Sequence, residues 1–176
     1  MALQITAKDY GRKLANMIPL GMSTGCCYGE LAHILFEDIH SDRFNISVSK
    51  TKSDIRRVPT HRDIMQDVAR MVDTSTDEYL ICGLSIKNKH ENSGMEISQK
   101  FMRHKIEQSF QKKEHTFHSF RSTLETLFQS AEVEELLAAG IIGHKAGGMT
   151  YGPCAGDLDW DKAVEAMAKV ERKRVA

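Results

Sequence analysis

A chain of 176 residues with 41% hydrophobic content can bury one sizeable core, and its length favours a single domain. Its 24 basic and 24 acidic residues cancel to a formal net charge of zero, so no global field drives it onto nucleic acid or a membrane, and polyanion binding must come from local clustering. No apolar run approaches the roughly 20 residues that span a bilayer, and no charged head with an apolar core opens the chain, so a soluble, cytoplasmic protein is expected. Cys26, Cys27, Cys82 and Cys154 include an adjacent pair but no CxxC spacing; free thiols in a reducing compartment are expected, with no structural metal.

In chain order, residues 7–18 carry Tyr10, Leu14, Met17 and Ile18 at helical spacing, and Pro19 and Gly21 are placed to interrupt it. After Ser23-Thr24-Gly25, Tyr28, Leu31, Ala32 and Leu35 predict a second helix that ends near 36–39. Phe44-Asn45-Ile46-Ser47-Val48 alternates apolar and polar residues as a half-buried strand does, and Arg56-Arg57-Val58-Pro59 can return beside it, a hairpin with Lys50 near its tip. Pro59 ends that strand, and Thr60 fits as the N-cap of a helix bearing Ile64, Met65, Val68 and Met71. The pattern weakens over residues 73–94, where Tyr79-Leu80-Ile81-Cys82 reads as a short buried segment of either type. Helical spacing resumes at Ile97, Phe101, Met102 and Ile106.

In the helix that opens near His118, Phe120, Leu124, Leu127 and Phe128 form an apolar stripe, while His118, Arg121 and Glu125 fall on a neighbouring one. Val133, Leu136 and Leu137 carry a helical pattern to Gly140, read as its stop. Residues 159–172 form a last amphipathic helix with Trp160, Val164 and Met167 on one side. The whole reads as a mixed α+β fold, mainly helical, with a small antiparallel β-hairpin or sheet, and without internal repeats.

Two basic clusters stand out: Arg43, Lys50, Lys52, Arg56, Arg57 and Arg62, and Lys100, Arg103, Lys105, Lys112 and Lys113. Either they are solvated faces or they meet a polyanion, with Lys52, Arg56 and Arg57 as the candidate DNA contacts. The run His115-Thr116-Phe117-His118-Ser119-Phe120-Arg121, followed by Gly143-His144-Lys145, sets imidazoles and a guanidinium in an order suited to phosphate. Cleaving a phosphodiester without a metal needs a nucleophile, cations for the extra charge on phosphorus and an acid for the leaving oxygen. Arginine suits the second task because its fixed fork of donors matches two phosphate oxygens and keeps its proton.

Together with Thr24-Gly25-Cys26-Cys27-Tyr28-Gly29-Glu30-Leu31 and Ser49-Lys50-Thr51, these segments resemble the successive boxes of the tyrosine recombinase (phage integrase) family, from about residue 14 to about residue 155. The resemblance implies a tyrosine recombinase catalytic fold over residues 1–158. It likens the last segment, 159–176, to the C-terminal helix that family members exchange between neighbouring protomers, although packing on its own domain is equally open. Lys50 would donate a proton to the departing 5′ oxygen, with Lys52 as a rival. His118 and Arg121 would bind the scissile phosphate, His144 would add a contact, and Glu30 would help hold the site together.

Two positions depart from the family pattern. The first box reads Thr-Gly-X-Arg-X-Gly-Glu-Leu in the family, and Cys27 stands where its arginine would be; Cys154, in Met149-Thr150-Tyr151-Gly152-Pro153-Cys154, stands where the nucleophilic tyrosine would be. Tyr151 is the alternative nucleophile. The implied function is site-specific recombination of phage or mobile-element DNA through a 3′-phosphotyrosyl intermediate, impaired by the two cysteines. The alternative is an inactive DNA-binding module that keeps the fold. Either way the expected partner is double-stranded DNA at attachment sites, with self-association on DNA and with no cofactor, metal, nucleotide or membrane.

Overall fold

The apolar stripes of helices from distant parts of the chain converge on one core that also takes in the inner face of a two-stranded sheet. A computed structural model describes residues 7–47, 55–84, 93–108, 115–143 and 158–170. Lys50, Lys52, His144, Tyr151 and Cys154 lie outside the described residues. Helix α1 spans Ala7–Thr24 and α2 Tyr28–Ala32; strands β1 (Arg43–Ile46) and β2 (Arg56–Pro59) follow, then α3 (Met65–Asp73), α4 (Ser93–Glu107), α5 (Ser119–Ser130), α6 (Glu135–Ile142) and α7 (Trp160–Lys169). The expected mixed, mainly helical architecture is found.

The hairpin forms as its alternation predicts. β1 and β2 pair antiparallel with Phe44 opposite Val58 and Ile46 opposite Arg56. Because side chains alternate across a strand, Phe44, Ile46 and Val58 share the buried face, and Arg56 is carried inward with them. Leu124 and Phe128 of α5 meet Leu14, Met17, Ile18 and Leu20 of α1 in the same core. Phe120 and Leu127 pack at its edge.

Several expected boundaries move, each for a local reason. α1 breaks at Gly11 (φ 79°, ψ 148°) and runs on through Pro19 to Thr24. The turn after Pro19 is braced by the hydroxyls of Ser23 and Thr24, which donate to the carbonyls of Pro19 (2.6 Å) and Leu20 (2.7 Å). Gly21 lies so tightly under Phe117 that a Cβ would sit 2.8 Å from the ring. α2 stops at Ala32 rather than near 36–39, because Leu35 turns extended to bridge Tyr79 and its N–H is taken by the Asp38 carboxylate at 3.1 Å.

His61, not Thr60, caps the turn before α3: its Nδ1 accepts from the Asp63 N–H at 3.2 Å, and a 3-10 turn, Arg62–Ile64, precedes the helix. α6 continues past Gly140 to Ile142 and ends at Gly143, which adopts a left-handed conformation (φ 83°). On α7 the buried residues are Ala163, Ala166 and Met167, while Val164 is exposed, so the core-facing stripe is rotated from the one expected.

α7 packs against α5, α6 and β2 of its own chain. Its first residue, Trp160, lies under the guanidinium of Arg57 (5.0 Å to the ring centroid) with Arg43 beside it (5.9 Å), and its indole N–H donates to Asp42 at 3.0 Å. The Asp159 side chain caps the helix by accepting from the Lys162 N–H.

Candidate functional site

The end of α1 builds the first part of the site. The Thr24 hydroxyl, besides donating to Leu20, accepts from the Cys26 N–H at 3.1 Å, which turns the chain sharply at Gly25 (φ 63°). A side chain there would be strained and would meet Leu124 at 3.0 Å, so glycine lets the turn press against α5. Two residues after Gly25, Cys27 caps α2, and Glu30, three positions on, reaches back to accept from the Cys27 N–H at 2.7 Å. This local bond fixes a carboxylate that is only 8% exposed.

α5 delivers the second part. Its start is held by edge-to-face rings, Phe117 against Phe120 (5.1 Å) and Phe101 against both (5.6 and 5.7 Å), and by Lys105, whose ammonium donates to the His115 carbonyl at 2.9 Å. His118, exposed, is the N-cap residue of α5; Arg121 lies one turn on and donates from Nε to the Gly25 carbonyl (2.8 Å) and from Nη2 to Glu30 Oε2 (2.8 Å). Two boxes far apart in sequence thus meet through one guanidinium.

The third part comes from β2. Arg56 is turned into the protein, where Nη1 donates to Glu30 Oε1 at 2.5 Å, Nε to the Ile141 carbonyl at 3.1 Å and Nη2 to the Cys26 sulfur at 3.6 Å. Glu30 therefore binds two arginines, one through each oxygen. Gly143 completes the enclosure, since a Cβ there would lie 2.7 Å from the Arg56 guanidinium carbon. Arg57 points to the opposite face of the hairpin and stacks on Trp160.

The charges follow from this packing. Burial alone would raise the Glu30 pKa, but Arg56, the Cys27 N–H and Arg121 overcome it and hold the carboxyl below its ordinary range. Burial also works against Arg56, yet the hydrogen bond and charge of the Glu30 carboxylate leave its pKa raised and its charge secure. Burial pushes the Cys26 thiol up to about 11 and, with the Glu30 charge, raises that of Cys27. Both cysteines are therefore neutral thiols at neutral pH, and neither carries charge toward an anion.

Of the residues singled out in the sequence, the structure brings together Glu30, Arg121, Cys27 and Arg56, with His118 at the head of the same helix as Arg121. Missed in the sequence were the backbone carbonyls of Gly25 and Ile141 and the inward role of Arg56. The second was signalled by strand alternation, which puts Arg56 on the same face as Val58. Among the described residues, no group of three or more His, Cys, Asp or Glu could hold a metal, and no helix is long and apolar enough to cross a membrane.

A family model described as the phage integrase family matches residues 3–152. The chain belongs to the phage integrase family. An integrase from mycobacterium phage Brujita superposes with a TM-score of 0.72 at 16% identity, over 99% of this chain and 56% of that one. The lambda integrase catalytic core superposes with a TM-score of 0.58 at 21% identity, over 81% of this chain and 87% of that one. A lambda integrase dimer bound to a COC′ core site gives a TM-score of 0.60 at 23% identity, over 82% of this chain and 55% of that one. The integrase-family chain thus spans about half the length of two of these structures. No curated protein sequence matches.

Proposed function

We propose that this chain is the catalytic domain of a phage or mobile-element integrase that acts on double-stranded DNA, with its own strand cleavage impaired at Cys27 and Cys154. The observation that carries the reading is the guanidinium of Arg121, fixed by the Gly25 carbonyl and by Glu30 within the segment that opens the family's first box. A guanidinium held from two sides enters phosphate binding with little entropy left to lose. His118, one turn earlier on α5, supports the same reading as a second phosphate contact. Lys50 as acid, Lys52 as its rival, His144 as a further contact and Tyr151 as an alternative nucleophile belong to this proposal through the family's motif order.

The impairment follows from chemistry. A neutral Cys27 provides no bidentate contact to a phosphate, and losing one transition-state donor typically costs a factor of about 100 to 1,000 in rate. Without a tyrosine at position 154, the 3′-phosphotyrosyl route needs another nucleophile. Cys27 and Cys154, in place of the family's arginine and tyrosine, favour a second reading, a DNA-binding module that keeps the fold without cleavage.

A nicked suicide duplex that carries the cognate site tests both. The chain as it stands is expected to bind without forming a covalent adduct, and Cys27→Arg with Cys154→Tyr to trap a 3′-phosphotyrosyl adduct. An adduct at Tyr151 in the unmodified chain would overturn the impairment. Failure of the double variant to form one would overturn the account that these two cysteines alone are responsible.

A further inference from the structure

We propose that Arg56 is a positioning residue for Arg121: by occupying one oxygen of Glu30 it keeps that carboxylate from capturing both ends of the Arg121 fork, and so leaves one guanidinium nitrogen of Arg121 for the DNA backbone. This rests on the reading of Arg121 as a phosphate contact. Arg56 itself is no phosphate ligand. Its side chain is 3% exposed, and its three nitrogens are engaged by Ile141, Glu30 and Cys26.

Arg121 is arranged differently. Its Nε and Nη2 are taken by Gly25 and Glu30, whereas its Nη1 makes no hydrogen bond among the described residues. A carboxylate and a guanidinium in contact tend toward the two-bond, fork-to-fork pairing. Here that pairing is blocked, because Glu30 Oε1 is already bonded to Arg56 at 2.5 Å and Oε2 alone serves Arg121 and the Cys27 N–H. Remove Arg56, and Oε1 becomes a buried acceptor without its partner, for which the nearest remedy is Nη1 of Arg121. The phosphate would then lose the donor that Glu30 gains.

The surroundings are shaped to keep Arg56 in this place. Strand alternation carries it inward opposite Ile46, the end of α6 offers its Ile141 carbonyl, and Gly143 leaves room that a Cβ would close. No arginine at position 27 shares the work: Cys27 offers Glu30 its backbone N–H and a neutral thiol, and no guanidinium.

The test is the salt dependence of duplex DNA binding by the full chain, in which each phosphate neutralised contributes about 0.9 to the slope of log K against log salt. Arg121→Gln and Arg56→Gln are each expected to lower the slope by about 1, although Arg56 touches no solvent-facing phosphate. Their combination is expected to lower it only once, and Arg56→Gln with Glu30→Gln to restore it, because a neutral amide no longer captures Arg121. A role confined to stability would shift the unfolding midpoint and leave the slope of the folded protein unchanged. Arg56→Met, which fills the buried volume without charge, carries the same reading where the glutamine variant does not fold.

A normal slope in the folded Arg56 variants beside a lowered one in Arg121→Gln would overturn the positioning role and leave the phosphate reading intact. A normal slope in Arg121→Gln would overturn both.

Discussion

Glu30 is the residue on which the site turns, since it joins α2 to α5 and β2 by one bond from each of Cys27, Arg121 and Arg56. Removing its charge leaves two guanidiniums facing one another in a buried place, a change that costs about 3–5 kcal/mol in comparable buried pairs. Glu30→Gln is expected to lose that much in urea unfolding at neutral pH. Because the Glu30 pKa is lower folded than unfolded, the native state binds fewer protons there, and its contribution is complete above the ordinary carboxylate range. That contribution is lost as pH falls through the depressed native value, so the gap between the two proteins should narrow in acid. A gap that stays constant into strong acid would show that Glu30 carries no such charge-dependent role.

At the scale of elements, α6 and α7 each depend on one terminal residue. Gly143 ends α6 at φ 83° and abuts Arg56, so Gly143→Ala meets both backbone strain and a clash. A loss of about 1–3 kcal/mol is expected, with a fall in the salt slope of DNA binding like that of the Arg56 variants; a fully stable variant with an unchanged slope would contradict this coupling. Trp160 fastens α7 to the hairpin through Arg57, Arg43 and Asp42. Trp160→Ala should release amide protection across α7 while α5 keeps its own, as read by hydrogen exchange. Equal protection of α7 in both proteins would mean that Ala163, Ala166 and Met167 suffice to hold it.

These elements also show what the sequence could and could not display. The hairpin and α5 were readable because alternation and a helical apolar stripe are local patterns, and Phe44, Val58, Leu124 and Phe128 obey them. The ends of α1, α2 and α6 were not, because packing decides them: Gly21 under Phe117, Leu35 beside Tyr79, and Gly143 against Arg56. In the site, side chains with a chemical signature, Glu30 and Arg121, could be singled out in advance. The carbonyls of Gly25 and Ile141 could not, since every residue carries one.

For the whole molecule, a formal net charge of zero means that the proposed binding to DNA rests on few, well-placed cations. Binding should therefore be weak at physiological salt and fall steeply as salt rises, with a slope set by a handful of phosphates. An affinity indifferent to salt would count against a backbone-bound complex. The integrase-family fold converges β2, α2 and α5 on one carboxylate, that of Glu30.

The central claim, that Arg121 and His118 face the DNA backbone, is tested most directly by a crystal structure of the full chain with a cognate duplex. The account predicts a phosphate oxygen within hydrogen-bond reach of Arg121 Nη1, with Glu30 still bridging Arg56 and Arg121 and the His118 ring turned to the same phosphate. A duplex seated elsewhere, with both terminal nitrogens of Arg121 on Glu30, would contradict it.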